Sequence, residues 1–320
     1  MMKSLFKNEL GQIVYTSWEW AIMRWVFVFV VWAATWQNHW LPSQISIASF
    51  ETLRDPNGLA SWFDLSFLSQ PTVTAVVVYL CLALAILYVS GRLPLLATGG
   101  LFLIHAAVGS IHNSPRGHHH ATQVVGLILM GQFGFFLWCS VRSRYFQKGK
   151  PVVSREDQVS HRATGAITIS MQMMCAGYVV SAISKWINSG GGWIPGARWI
   201  AQVPNIIVQF SKNEAQAYYD TLQPPANQMN QWTIDFVSEH PNVAMAIFGM
   251  GFYLELLAFL SLLNRRLALL FGVSLFAMHS MISVIMRLNF VYFKMILLLF
   301  FINLPFWIYY LYQRKQKSRL

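Results

Sequence analysis

Gly177-Tyr178-Val179-Val180-Ser181-Ala182-Ile183-Ser184-Lys185-Trp186, followed by Gly190-Gly191-Gly192-Trp193-Ile194-Pro195-Gly196, sets the terms for the rest of the chain. It begins inside an apolar run of membrane length and ends in a lysine, two tryptophans and a glycine-rich turn. A run of that kind reads as a spanning helix. On helical spacing Tyr178, Ser181 and Lys185 stand at i, i+3 and i+7, so they share one face. Two hydroxyls and an amine on one stripe of an apolar helix call for a polar pocket. The plain alternative is a snorkelling lysine, with its ammonium among headgroups beside Trp186 and Trp193.

Composition agrees with a membrane setting. The chain of 320 residues is 55% hydrophobic and 11% charged, with a mean hydropathy of +0.44. Soluble domains carry roughly 25% charged residues. The net charge of +11 does not point to nucleic acid, because lysine and arginine collect in the cytoplasmic loops of membrane proteins. Cys81, Cys139 and Cys175 lie scattered in apolar runs without metal-ligand spacing, as small core residues do. The segment Met1 to Tyr15 is polar and short, and the first apolar run lacks a small-residue cleavage site, so it reads as a retained helix.

A spanning helix needs about 20 mostly apolar residues. Eight stretches qualify, at 18–36, 71–90, 93–112, 122–141, 163–187, 243–262, 267–286 and 289–311. The expected fold is therefore all-α: one polytopic transmembrane bundle over residues 1–320, without a soluble domain. An eight-span path puts 15 of the 23 basic residues on the side that holds both termini, including Arg142, Arg144, Lys148 and Lys150. That side is expected to be cytoplasmic. The long connections 37–70 and 188–242 then lie outside. Short interfacial helices are expected in them, around 49–65, Trp199 to Phe210 and Ala226 to His240, forming a cap over the bundle.

Other polar residues need partners. Glu255 lies about 18 Å into the sixth expected span, where an acidic group costs about 3 kcal/mol even on lenient insertion scales. His105 and His279 reach a similar depth, so a His–Glu–His cluster is one expectation and a structural hydrogen-bond network is the other. Lys185 sits near the outer end of its helix, and no direct bond to Glu255 is expected unless a helix shifts by two turns. Glu19 and Arg24 are expected to form a local ion pair. Lys294 is expected to snorkel. The turn His112 to His120 holds four histidines, suited to zinc or copper, to proton transfer or to a plain interfacial turn. Paired histidines from His105, His112 and His279 could also ligate haem.

Tyr178, Ser181, Ser184 and Lys185, with Trp193 and Gly196, resemble the Y-x-x-S-x-x-S-K … W-x-x-G signature of the HTTM superfamily, the transmembrane domain of vitamin K-dependent gamma-carboxylases and their bacterial relatives. Glu255 in Tyr253-Leu254-Glu255 and His279 in Ala277-Met278-His279 fit the same pattern. The resemblance implies a multi-pass protein of the bacterial inner membrane. It implies Lys185 as the base that deprotonates a reduced quinone, assisted by one of His118, His119 and His120, with His120 in the candidate set. In those enzymes oxygen then attacks, and the strong base so formed acts on a peptide glutamate. The chain departs from the carboxylases in its short C-terminal segment, Gln313 to Leu320. In size it is more similar to the membrane accessory proteins of sporulation-delaying-type toxin systems. Two functions are thus expected. One is an intramembrane enzyme acting on a quinol- or lipid-like substrate. The other is a non-catalytic module that matures a secreted peptide or assembles with a partner membrane protein.

Overall fold

A computed structural model describes residues 14–36, 58–113, 120–145, 155–200, 235–236, 239–285 and 290–317. No strand occurs among them. The helices are α1 (Ser17–Trp36), α2 (Pro71–Ser90), α3 (Pro94–Asn113), α4 (His120–Tyr145), α5 (Arg155–Asn188), α6 (Trp193–Ile200), α7 (Pro241–Leu256), α8 (Arg265–Ile285), α9 (Val291–Ile296) and α10 (Leu304–Lys317). Short 3₁₀ turns occupy Gly58–Ser61, Ser66–Ser69 and Ala258–Leu262.

Among the described residues, six helices are long and apolar enough to cross a membrane. They are α1 to α5 and α8, at or near six of the eight expected positions. The other two expected spans differ. The stretch 243–262 forms the 16-residue α7 and then overwinds into the 3₁₀ turn at Ala258–Leu262. Sixteen residues rise about 24 Å, short of a hydrocarbon core of about 30 Å. The stretch 289–311 is broken. α9 runs into a π-turn at Leu297–Phe301, and the chain then bends by 44° before α10. The pair makes a seventh span only if counted as one. Asn303 sits at the break with φ of 53°, a left-handed conformation that asparagine tolerates better than most residues.

Local chemistry sets the helix ends. Thr16 and Glu19 form a capping box at the start of α1: the Thr16 N–H donates to Glu19 Oε2 at 2.8 Å, and the Glu19 N–H faces Thr16 Oγ1 at 3.4 Å. α2 begins at Pro71 and ends at Gly91, whose φ of 70° closes the last turn onto the Tyr88 carbonyl. Asn264 Oδ1 accepts the N–H groups of Arg266 and Leu267 at the head of α8.

The core is centred on α1, which touches α2, α3, α4, α5 and α9. Met23, Phe27 and Val30 on its inward face are completely buried. Polar bonds fix the rotation of the surrounding helices. Tyr88 of α2 donates to Gln132 of α4 at 2.9 Å, and Gln132 donates to Ser170 of α5 at 2.8 Å. Inside hydrocarbon such bonds are worth about 0.6–2 kcal/mol each.

The expected pairing of Glu19 with Arg24 is not formed. A separation of five residues places the two on different helix faces. Glu19 instead accepts from Arg265 Nη1 and from Asn303 Nδ2, each at 2.8 Å, which ties α1 to α8 and to the α9–α10 break. Arg24 donates to the Tyr88 carbonyl at 3.3 Å and so caps the C-terminus of α2.

The first long connection is described from residue 58, where it makes 3₁₀ turns; 37–57 lies outside the described residues. Of the expected helix from Trp199 to Phe210, only Trp199 and Ile200 are described, as the end of α6, which starts at Trp193; the expected helix from Ala226 to His240 lies mostly outside the described residues. Residues 201–234 lie outside the described set.

Candidate functional site

Lys185 lies one turn from the end of α5. Beyond it the chain closes in a Schellman turn: the Gly191 N–H reaches the Trp186 carbonyl at 2.9 Å, and the Gly190 N–H reaches that of Ile187 at 3.0 Å. Gly190 adopts φ of 58° and Gly191 φ of 84°, which residues with a Cβ enter at a cost. The turn swings α6 back over the end of α5. Trp193, the first residue of α6, then faces the Lys185 ammonium, with its ring centroid 5.5 Å from Nζ. That distance suits a cation–π contact. Trp193 in turn packs edge-on against Phe248 of α7.

Across from Lys185 stands Glu255 of α7. Its Oε2 and the Lys185 Nζ form an ion pair and a hydrogen bond. The Glu255 side chain is 8% exposed and that of Lys185 27%. Ser181, one turn earlier on α5, stands on the same face and close to that carboxylate. Two turns before Lys185, the Tyr178 hydroxyl meets His279 Nε2 of α8 at 2.8 Å. Tyr178 is also within electrostatic range of Glu255. Tyr178, Ser181 and Lys185 thus present one face of α5 to α7 and α8, and the polar groups run as a ladder along it.

The direct Lys185–Glu255 bond corrects the depth argument from sequence. The contacts fix an antiparallel register in which Trp186 lies beside Phe252, with ring centroids 6.0 Å apart. The Cys175 thiol sits 3.3 Å from the Ala258 carbonyl. The end of α5 at Asn188 therefore meets the middle of α7. Residues 241–251 project beyond it by about 16 Å at 1.5 Å per residue, and α6 packs against this part of α7. An offset of two to three turns lowers Glu255 relative to its own helix start and brings it level with Lys185.

His279 is 4% exposed and boxed by rings, with Phe290 at 4.8 Å and Phe293 at 5.1 Å between centroids. Its Nδ1 has no hydrogen-bond partner among the described residues. A buried ring nitrogen left unpaired costs about 1–3 kcal/mol. Such an atom marks a place where a ligand group or a water completes the network.

His105 belongs elsewhere. Its Nε2 faces the Thr122 carbonyl at 3.1 Å and its Nδ1 the Thr35 hydroxyl at 2.9 Å. The expected His105–Glu255–His279 cluster is not assembled, since each member is held by a different partner. Equal depth along three helices does not make a cluster unless their faces also turn toward one another. For the haem reading, His105 has both ring nitrogens occupied by Thr35 and Thr122, and His279 has its Nε2 on Tyr178. No group of three or more histidine, cysteine or acidic side chains suited to a metal occurs among the described residues. His118 and His119 lie outside those residues, and at His112 and His120 only the helical backbone is described. Lys294 is half-buried on α9, close enough to His279 to act on it electrostatically.

The arrangement is a net-neutral acid–base pair beneath an aromatic cover. A carboxylate can take a proton there while the adjacent ammonium holds an anion, and the partly exposed lysine gives access from one side. The sequence offered no sign that α6 would return onto α5, apart from the glycine run before Trp193. Compared with known proteins, the chain matches no family model, no curated protein and no solved structure.

Proposed function

We propose that the chain is a multi-pass membrane enzyme of the HTTM, gamma-carboxylase-like kind that removes a proton from a quinol- or lipid-like substrate at the Lys185–Glu255 pair. Both termini lie in the cytoplasm in this reading, and α6 with the connection after it caps the extracytoplasmic mouth. The observation that carries it is the ion pair set under Trp193, with the Tyr178–His279 pair below on the same face of α5. The pair, in place of the free amine that the resemblance implies, is the base. One proton passes from the substrate hydroxyl to Glu255, and the Lys185 ammonium pairs with the oxyanion left behind. In a water-poor site that anion is stabilised far more than in bulk solvent.

The test uses a reduced short-chain naphthoquinone, added without oxygen to purified protein and followed by the absorption of its deprotonated form. Wild type is expected to raise the quinolate fraction at fixed pH. Lys185→Ala and Glu255→Gln are expected to abolish that rise without unfolding the bundle. Full quinolate formation by Lys185→Ala would refute the proposal.

That Lys185 already has a partner is the observation that favours the second reading, a non-catalytic accessory protein for a secreted peptide or a partner membrane protein. Under it no quinolate forms, Lys185→Arg is tolerated, and the protein copurifies with its partner.

A further inference from the structure

A cavity separate from the Lys185–Glu255 pair opens between α3 and α4 and is roofed by the 3₁₀ turn Gly58–Ser61. Its volume is about 590 Å³, within the roughly 300–1,000 Å³ of small-molecule sites. Glycines shape it on three sides. Gly109 of α3 faces open space, with no atom within 4 Å of where a Cβ would stand. In a membrane helix a small residue ordinarily lets a neighbour pack close, and among the described residues none does here. Across the slot, Gly126 of α4 leaves room for the His105 ring, which would lie 3.1 Å from an added Cβ. At the roof, Gly58 has φ of 61°, and a Cβ there would meet Ser110 Oγ at 2.6 Å. That close approach lets the Leu59 N–H bond to Ser110 Oγ at 2.9 Å and seats the roof on α3.

The chemistry of the lining identifies what fits. Among the described residues, no Asp, Glu, Lys or Arg lines the cavity. The one titratable side chain of the described lining, His105, has both ring nitrogens occupied: Nε2 faces a carbonyl, an acceptor only, and so donates to it, while Nδ1 meets the Thr35 hydroxyl. Ser110, Thr122 and Gln123 are the other polar residues of the described lining, and none of them is ionisable, so the part of a ligand inside the slot carries no charge. The rest of the described lining is glycine, alanine, leucine, methionine and aromatic surface, to which hydrocarbon is the complementary filling. The lining from Phe102 to Ser110 on α3 extends about 12 Å along that helix. The slot is open at Trp62, 83% exposed, and at Met130, 40% exposed. Tryptophan sits at headgroup level in membrane proteins.

We propose that this slot holds one acyl chain of a membrane phospholipid, entered sideways between α3 and α4, with the headgroup outside beside Trp62. The chain is an integral part of the bundle and differs in residence from the lipid that bathes the exposed face of α2.

Nanodiscs containing phosphatidylcholine with a photoactivatable diazirine on its acyl chain test this, with peptide mapping of the crosslinks. After a chase with excess unlabelled phosphatidylcholine, crosslinks to residues 102–110 and 122–130 persist. Those to Val76, Tyr79 and Ile86 on the lipid-facing side of α2 disappear. Gly109→Leu fills the slot and lowers the persistent crosslinks by about tenfold or more, as expected when several buried methylenes are displaced at about 0.8 kcal/mol each. Gly134→Leu is the control: that glycine also faces open space but does not line the cavity, and the variant keeps the signal. Gly109→Ala gives a smaller loss, and it keeps the test decisive if the leucine variant does not fold. Loss of all crosslinks at one rate during the chase, or indifference to both Gly109 variants, overturns the proposal and leaves ordinary bathing lipid.

Discussion

Arg265→Met removes the cation from the ion pair at the start of α1 while keeping an apolar stem between two rings. Arg265 sits 4.5 Å from the Tyr15 ring centroid and 4.1 Å from that of Phe306, and it bonds both Glu19 oxygens and the Val14 carbonyl. Glu19 is 1% exposed. Breaking a buried pair from one side costs about 3–5 kcal/mol, because a charge is left uncompensated. Here the carboxylate keeps three other donors: the Thr16 N–H at 2.8 Å, the Thr16 hydroxyl at 2.7 Å and Asn303 Nδ2 at 2.8 Å. The cost therefore falls at the low end, about 3 kcal/mol. That corresponds to a drop of roughly 6–12 °C in Tm at about 2–4 °C per kcal/mol. Tryptophan fluorescence during heating in detergent reads it, with Glu19→Gln and the double variant completing a cycle. The double variant removes both charges, so it is expected to lose less than the sum of the singles by more than 1 kcal/mol. A single-variant cost under about 0.5 kcal/mol, or strict additivity in the cycle, would refute the reasoning that this pair locks α1 to α8.

Two further outcomes follow from the same kind of geometry. Asn303 combines φ of 53° with a bond to Glu19 and a cap on the Phe306 N–H. Asn303→Ala is expected to lose about 2–4 kcal/mol, and Asn303→Gly about 1 kcal/mol less because glycine accepts the backbone angle; calorimetric ranking in the opposite order contradicts this. Tyr178→Phe keeps the ring but leaves both His279 nitrogens without a partner among the described residues. A loss of about 1–3 kcal/mol is expected, and an unchanged Tm in thermal unfolding would show that the bond contributes nothing.

The apolar runs made six membrane-length helices legible, because composition and length alone decide which segments can span. Helical periodicity also gave the common face of Tyr178, Ser181 and Lys185. The partners of that face were not legible. Depth counted from each helix end assumed that all helices begin at one level. α7 begins about three turns further out, and no pattern in 241–256 encodes that offset, which depends on packing against α6. Glu19 illustrates a signal that was present but unused. Thr16-Ser17-Trp18-Glu19 reads as a capping box, which places the carboxylate at the helix start, available to a distant arginine and turned away from Arg24. The break at Asn303 carried a signal too. Leu297 to Leu311 is apolar enough to look continuous, but Pro305 has no N–H to return to the preceding turn, and the π-turn and the left-handed Asn303 complete the break.

The site rests on Lys185 of α5 meeting Glu255 of α7, and exchange of the two charges tests that contact most directly. Lys185→Glu and Glu255→Lys each set like charges face to face in a largely buried place. The measurement is the Tm of both single variants and of the double exchange in the same detergent. The structure predicts that the double variant recovers to within about 1 kcal/mol of wild type, with a coupling of about 1–3 kcal/mol between the positions, moderated by the partial exposure of Lys185. A double variant as unstable as the sum of its singles would contradict the pairing and, with it, the site.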